Sequence, residues 1–298
     1  MREIAVVVPF FNEEESLPAF VEETNRVFDA LSHKHDVRFR MILVDDGSRD
    51  GSVEWLKDSA VFRMPVDLVQ LSRNFGKEST ISAGLDAANG VDAVVIMDAD
   101  LQHPPAIVDA FLDHWLRDGF DIVYAHRKGG TFNQPARRMI SRLFYKLINS
   151  GSRFDIPRDS GDFRLMNRRA LTALGQLPER ERFMKGLYAW IGFRQKGIAY
   201  NPSTRKVGKT KFSVARLFLL SVDGITSFTV APLRYMSAFG IAVSALSFLY
   251  GLYILAERLF WGNEIPGFAS IITLIAFFGG MQFICIGIIG EYIGKILI

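Results

Sequence analysis

Asp98-Ala99-Asp100 follows directly on the apolar run 93–97 and delivers two carboxylates from what reads as the end of a strand. Alternate residues of an extended segment point the same way, so Asp98, Asp100 and the amide oxygen of Gln102 can converge on one hard divalent cation. Paired carboxylates at a strand end suit chemistry on a diphosphate. Taken alone, the triplet equally describes a solvated strand-to-loop turn. Its meaning therefore rests on what the rest of the chain brings to it.

The first half alternates short apolar runs rich in β-branched residues with helix-like segments. Residues 4–8, 39–44, 66–71, 93–97 and 122–125 read as strands covered on both faces, and 16–32, 52–59, 77–88 and 104–118 as helices. That order predicts an α/β fold with a largely parallel, doubly wound sheet, in which ligands bind beyond the carboxyl ends of the strands. Polar motifs fall at all five ends: Pro9-Phe10-Phe11-Asn12-Glu13, Asp45-Asp46-Gly47-Ser48, Ser72-Arg73-Asn74-Phe75-Gly76-Lys77, the Asp98 triplet, and His126-Arg127. Asn12, Glu13, Asp45 and Asp46 offer acceptors for a nucleobase edge and ribose hydroxyls, while Asp46-Gly47-Ser48 reads equally as a turn. No G-x-G-x-x-G follows the first strand and no G-x-x-x-x-G-K-[ST] occurs, which disfavours a nicotinamide dehydrogenase and a P-loop nucleotidase.

Downstream, residues 127–153 carry seven Lys/Arg and no acid. Arg137 and Ser141 lie four apart on a predicted helix over 135–149 and share a face. With Arg127 they read as a phosphate clamp for a second substrate. Ser160-Gly161-Asp162-Phe163-Arg164 places an acid and an arginine in apolar sequence, as a buried structural pair or a catalytic one. Arg205, Lys209 and Lys211 precede a mixed apolar segment, 212–228, that reads as a helix lying in a membrane interface.

Residues 235–256 and 267–290 are 22 and 24 residues long and uncharged, each near the ~20 needed to cross a hydrocarbon core. Arg216, Arg234 and Lys295 flank the outer ends of the pair, which predicts cytosolic termini and an exported connector. The N-terminal apolar stretch is too short for a signal peptide, so the catalytic part is expected in the cytosol. The chain stops at Ile298 within apolar sequence, which suggests a truncated second helix. A formal net charge of +3 is too mild to indicate nucleic acid, and a single cysteine, Cys285, excludes a disulfide framework. Gly279, Gly280, Gly287 and Gly290 permit close helix packing and hence a homo-oligomer.

Taken together, the motifs at 9–13, 44–48, 74–77, 98–104 and 161–166, with the paired spans, resemble family 2 glycosyltransferases. Within that family the chain is similar to polyprenyl-phosphate glycosyltransferases, most closely bactoprenol glucosyltransferases and more distantly dolichol-phosphate mannose synthase. The resemblance implies a GT-A catalytic domain over 1–211, interfacial helices over 212–234 and a transmembrane hairpin over 235–298. It further implies an inverting mechanism, Mg²⁺ or Mn²⁺, and transfer of a hexose, glucose from UDP-glucose first, to undecaprenyl phosphate at the cytosolic face of a bacterial inner membrane, for O-antigen or other surface-glycan modification. GDP-mannose and UDP-N-acetylhexosamine are the alternative donors.

By position, Pro9, Asn12, Glu13, Asp45, Asp46, Lys77 and Asp98 would bind the nucleotide sugar, and Asp98, Asp100 and Gln102 the metal. Arg127, Arg137, Ser141, Arg164, Arg205 and Lys211 would take the lipid phosphate, with Asp162 and Arg127 catalytic. The mannose synthases have a shorter S-G-F-R where this chain carries Asp162 in addition, which favours the glucosyltransferase branch. The Q-x-x-R-W signature of processive synthases is absent. A non-catalytic, membrane-anchored sugar-nucleotide-binding module is the competing class.

Overall fold

The structure is a computed structural model that describes residues 1–58, 62–127, 160–177, 183–201, 231–261 and 267–297. The described residues up to 201 form one compact unit and those from 231 onward a second.

The first unit is built on β1 (Arg2–Phe10), whose last seven residues are all buried. A strand apolar on both faces belongs in the middle of a covered sheet. It pairs in parallel with β2 (Val37–Asp45) on one side and β4 (Ala93–Ile96) on the other. β3 (Val66–Gln70) extends the sheet beyond β2. On the far side lie β6 (Ser160–Asn167), β5 (Ile122–Arg127) and β7 (Gln195–Tyr200), giving the order β3-β2-β1-β4-β6-β5-β7. Among the described strands six run one way and β6 alone is reversed.

Helices cover both faces. α1 (Leu17–His35) buries Leu17, Phe20, Val21, Thr24, Phe28 and Leu31, the three-and-four spacing of one helical face. It packs with α4 (Val108–Leu116) over the sheet face bearing Val6, Val8, Leu43 and Phe163. α2 (Ser52–Asp58) follows β2, and a short 3₁₀ turn, Pro105–Ile107, leads into α4. The opposite face carries α3 (Lys77–Ala87) and α5 (Arg168–Gly175), with α6 (Met184–Trp190) beside β6. A Cβ on Gly84 would collide with Val7 Cγ1, so only glycine lets α3 approach β1 this closely. That seat fixes the first turn of α3 at the carboxyl edge of the sheet.

The five predicted strands are β1–β5, and the four predicted helices are α1–α4, with the expected 104–118 divided into the 3₁₀ turn and α4. The sheet is largely parallel as expected, and the direction of its one reversed described strand, β6, decides which of that strand's residues reach the carboxyl edge. Because β6 runs backwards, its first residues, Ser160 to Asp162, lie at the edge where β1–β5 and β7 end.

The second unit contains α7 (Ala231–Trp261) and α8 (Phe268–Leu297). Tyr235–Tyr253 is long and apolar enough to cross a membrane, and among the described residues α8 holds a shorter apolar stretch, Phe277–Gly290. Large apolar side chains are exposed along both helices, among them Ile241, Phe248, Ile275 and Phe283. The segments expected as helices over 135–149 and 212–228 lie outside the described residues.

Candidate active site

At the ends of β1–β3, polar side chains bind backbone. Asn12 accepts the Arg49 amide at 2.8 Å while its own amide donates to Ser48 Oγ at 2.9 Å. The Glu13 amide donates to Ser52 Oγ at 3.0 Å. Asp45 accepts the Ser48 amide at 2.8 Å, and Asp46 takes the amides of Phe75 and Gly76 at 2.8 and 3.0 Å. Asp45 and Asp46 are 2% and 5% exposed, so their charges are balanced by amide dipoles rather than by water. Gly47, at φ +72°, lies against the backbone of Arg73, where any Cβ would meet Arg73 C at 2.7 Å. Three loops are thereby locked into one shelf, with Pro9 buried beneath it in β1.

At the ends of β4–β7 the contacts run between side chains. Lys77, the first residue of α3, places Nζ 2.7 Å from Asp98 Oδ1 and 2.9 Å from Asp162 Oδ2. Burial disfavours the charge on Asp98, but Lys77 and then His103 outweigh it and hold the carboxyl well below the usual range. Asp162 follows the same pattern: burial opposes ionisation, and Lys77 and Lys185 restore it. The Lys77 ammonium, opposed by burial, is held well above its ordinary value by Asp162 and Asp98. All three groups therefore stay charged at neutral pH.

Beyond Asp98 the chain turns sharply. Leu101 adopts a left-handed conformation at φ +55°, unusual for a bulky residue and found where surrounding structure enforces it. Its turn lets the Gln102 amide donate to Asp100 Oδ1 at 3.0 Å, and Gln102 Oε1 accepts from Arg127 Nη2 at 2.8 Å. His103, 8% exposed, directs Nε2 toward Asp98 Oδ2 at 3.6 Å, and its Nδ1 lies 2.6 Å from the Tyr200 hydroxyl.

Beneath Asp162, Arg164 is 2% exposed. Its guanidinium lies 3.5 Å from the centroid of the Tyr188 ring, and Nη2 donates to Gly161 O at 2.7 Å. Glu78 accepts the Met184 amide at 3.2 Å, tying α3 to the first turn of α6. Burial first, and the nearby Asp162 second, push the Glu78 carboxyl up to about 7. Asp162 Oδ1, Arg164 Nε and Tyr188 Oη are buried without a hydrogen-bond partner among the described residues.

Residues 5–175 match the family described as "Glycosyl transferase family 2". The chain belongs to family 2 of the glycosyltransferases. Residues 231–296 match a second description, "GtrB C-terminal hairpin". A bactoprenol glucosyl transferase of Shigella phage SfV is 39% identical over 295 residues, 99% of this chain and 94% of that protein. A glycosyltransferase of Synechocystis whose activity is uncharacterised is also 39% identical, over 99% of this chain and 91% of its own length. Among solved structures, glucosyl-3-phosphoglycerate synthase of Mycobacterium tuberculosis, in complex with Mg²⁺ and UDP, superposes with a TM-score of 0.52 at 19% identity, covering 76% of this chain and 77% of that one. That likeness bears on the fold, an α/β domain with a mostly parallel sheet, as expected of GT-A.

This family 2 glycosyltransferase brings most of its predicted site residues to one sheet edge: Asn12, Glu13, Asp45 and Asp46 on the shelf, and Lys77, Asp98, Asp100, Gln102, Arg127 and Asp162 beside it. Arg164 departs from the expectation that it meets a lipid phosphate. Two β residues from Asp162, it shares that residue's sheet face and is buried under α6, where it braces the strand. Arg137, Ser141, Arg205 and Lys211 lie outside the described residues. The roles of His103, Tyr200, Glu78, Lys185 and Tyr188 were not indicated by the motifs, since each depends on a contact between elements distant in sequence.

Among the described residues no three His, Cys, Asp or Glu side chains gather as a ready metal cage. Asp98 and Asp100 nevertheless fit Mg²⁺ or Mn²⁺ by chemistry. Both are hard oxygen donors, Asp98 is kept ionised, and Mg²⁺ is usually held by one or two carboxylates with substrate phosphates and water completing the shell. Gln102 Oε1 is already engaged by Arg127, which makes it the secondary donor.

Proposed function

We propose that this enzyme transfers glucose from UDP-glucose to undecaprenyl phosphate at the cytosolic face of the membrane, with inversion at the anomeric carbon and dependence on Mg²⁺ or Mn²⁺. The observation that carries the reading is the meeting of Lys77, Asp98 and Asp162 beside Arg127 at one sheet edge. The relatives named bactoprenol glucosyl transferase, alike over nearly their whole length, support the sugar and the acceptor. The exposed apolar surface of α7 and α8 supports a membrane-spanning hairpin that holds the site near a lipid substrate.

In this reading the shelf of Asn12, Glu13, Asp45 and Asp46 frames the nucleoside. Asp98 and Asp100, with Gln102, hold a divalent ion that, when bound, neutralises charge on the departing diphosphate. Lys77 keeps Asp98 ionised and adds positive charge beside the same leaving group. Arg127, with Arg137, Ser141, Arg205 and Lys211, aligns the acceptor phosphate. That phosphate is already ionised at neutral pH, so no strong general base is needed. Asp162, salt-bridged to Lys77, serves by charge and position. Placement of two anionic reactants and neutralisation of their charge then supply most of the rate.

The test uses the full chain in vesicles with labelled UDP-glucose, undecaprenyl phosphate and MgCl₂. A glucose-labelled lipid product that disappears with chelator is expected. Product from GDP-mannose or UDP-N-acetylglucosamine, and none from UDP-glucose, would reassign the donor; no lipid product from any donor would sink the reading.

A further inference from the structure

β6 is irregular where it reaches the carboxyl edge. Arg164 pairs with Tyr124 of β5 and with Ile96 of β4, and the next pair to β5 is His126 with Ser160. Between those two pairs β5 has one residue, Ala125, while β6 has three, Gly161, Asp162 and Phe163. Extra residues of this kind form a bulge, which bends a strand and re-aims the side chains it carries. Phe163 is 1% exposed and rests on Phe111, with ring centroids 4.9 Å apart. Asp162 reaches Lys77 at 2.9 Å.

Arg164 closes that bulge. Its Nη2 donates to Gly161 O at 2.7 Å. That oxygen belongs to the rigid peptide unit joining Gly161 to Asp162, so the bond sets the plane from which the Asp162 side chain departs. The guanidinium is itself held, over the Tyr188 ring at 3.5 Å from its centroid, with the Tyr124 ring at 5.9 Å. Tyr188 is carried by α6, whose first turn is tied at Met184 to Glu78, the neighbour of Lys77 on α3. The contacts therefore close a circuit from Lys77 through α6, Tyr188, Arg164 and Gly161 to Asp162, and back to Lys77.

The charge of Arg164 is costly where it lies. Among the described residues it makes no ion pair, and its Nε has no hydrogen-bond partner. An apolar side chain of similar size would avoid that cost. It would not supply a planar donor at a fixed place under the Gly161 carbonyl. We propose that Arg164 is a positioning residue, seated on Tyr188, that fixes the β6 bulge and so aims Asp162 at Lys77. This inference rests on the part proposed for Asp162 in the reaction.

Arg164→Lys keeps a charge and loses the planar fork. In the full chain it should lower kcat about 10²-fold, the effect of displacing a group of the site by roughly 1 Å. KM for UDP-glucose and for undecaprenyl phosphate should stay within about threefold of wild type. Because the effect passes through Asp162, adding Arg164→Lys to Asp162→Asn should cost less than about threefold further. An equal loss in both backgrounds overturns the inference. So does a higher KM for undecaprenyl phosphate at unchanged kcat, which would return Arg164 to the lipid phosphate. Tyr188 offers the same test without touching the buried charge: Tyr188→Phe, which keeps the ring, should turn over about tenfold faster than Tyr188→Leu, and equal rates overturn the inference.

A further measurement needs no substrate. Among the described residues Arg164 and Lys77 share no hydrogen bond or ion pair, yet each acts on Asp162. The melting-temperature loss caused by Lys77→Met should therefore shrink to about half in the Arg164→Lys background, whereas sites with no shared partner add. Additive losses overturn the inference whether or not the chain accepts UDP-glucose. Non-additive losses in a chain inactive toward UDP-glucose support the positioning role and count against the proposed function alone.

Discussion

The two halves of the catalytic edge spend similar residues in opposite ways. Along β1–β3, Asn12, Asp45 and Asp46 bind backbone amides and so build the loops that carry them. Along β4–β7, Lys77 bridges Asp98 and Asp162, His103 faces Asp98 and Arg127 holds Gln102, and their loops are shaped by other means, such as the left-handed Leu101. An amide held by a carboxylate is part of the fold, and its loss costs stability. A carboxylate held by a lysine is a preset charge, and its loss costs chemistry. The shelf and the charge network should therefore fail differently.

The sharpest contrast comes from Asp98→Asn and Asp100→Asn. Each should lower kcat on the order of 10³-fold, in line with losing a group that stabilises developing charge, while the melting temperature of Asp100→Asn stays near wild type. Full activity of Asp100→Asn at low MgCl₂ would break the assignment of the β4–β7 half to chemistry. Lys77→Met should cost about 10²-fold in turnover and also destabilise the fold, because two partly buried carboxylates lose their shared cation. Both acids are depressed in the folded state, so their stabilisation exists above the unfolded carboxylate range and is lost as pH falls. The melting-temperature gap between wild type and Lys77→Met should accordingly be wide at pH 7 and close toward pH 3.

On the shelf, Asp46→Ala leaves the Phe75 and Gly76 amides unpaired and should cost about 2 kcal/mol, since each orphaned donor costs about 1–3 kcal/mol. Urea unfolding measures it, and a variant as stable as wild type with activity abolished would erase the distinction between halves. The smallest effect belongs to Glu78→Gln. Glu78 titrates at about 7 in the fold against an ordinary 4.5, so the folded state binds the extra proton between those values. Its contribution is present below the unfolded value and gone once pH exceeds 7. Glu78→Gln should thus melt a few degrees higher than wild type at pH 8, by the usual conversion of ~1 kcal/mol to ~2–4 °C, and the difference should vanish near pH 4.

How much of this was readable in advance follows the same division. The β1–β5 ends were legible because five buried strands in parallel order each announce themselves by an apolar run followed by polar residues. Asp162 and Arg164 were visible as charges in apolar sequence, but their strand was not, since the charged residues alternate with Phe163 and Leu165 and pairing with β4 and β5 decides the outcome. Tyr200 was invisible because Gln195–Tyr200 is only partly buried and lacks a clean alternation. His103 stood in plain view beside Gln102, yet its contact with Tyr200 joins residues 97 apart. Glu78 was hidden for the same reason: its partner, Met184, lies 106 residues away.

The reversed strand also bears on how such a chain can diversify. β5 ends at Arg127 and β6 begins at Ser160, and the two are stapled side by side where His126 pairs with Ser160. The sequence between them is 32 residues long and carries Arg137 and Ser141, and its two flanking strand ends lie at the same rim of the sheet. An evolutionary replacement of that stretch need satisfy only two neighbouring anchor points, since β5 and β6 are held in register by their own pairing. With the acceptor roles proposed for Arg137 and Ser141, acceptor preference would reside in a stretch that can be exchanged while the shelf and the charge network stay as they are.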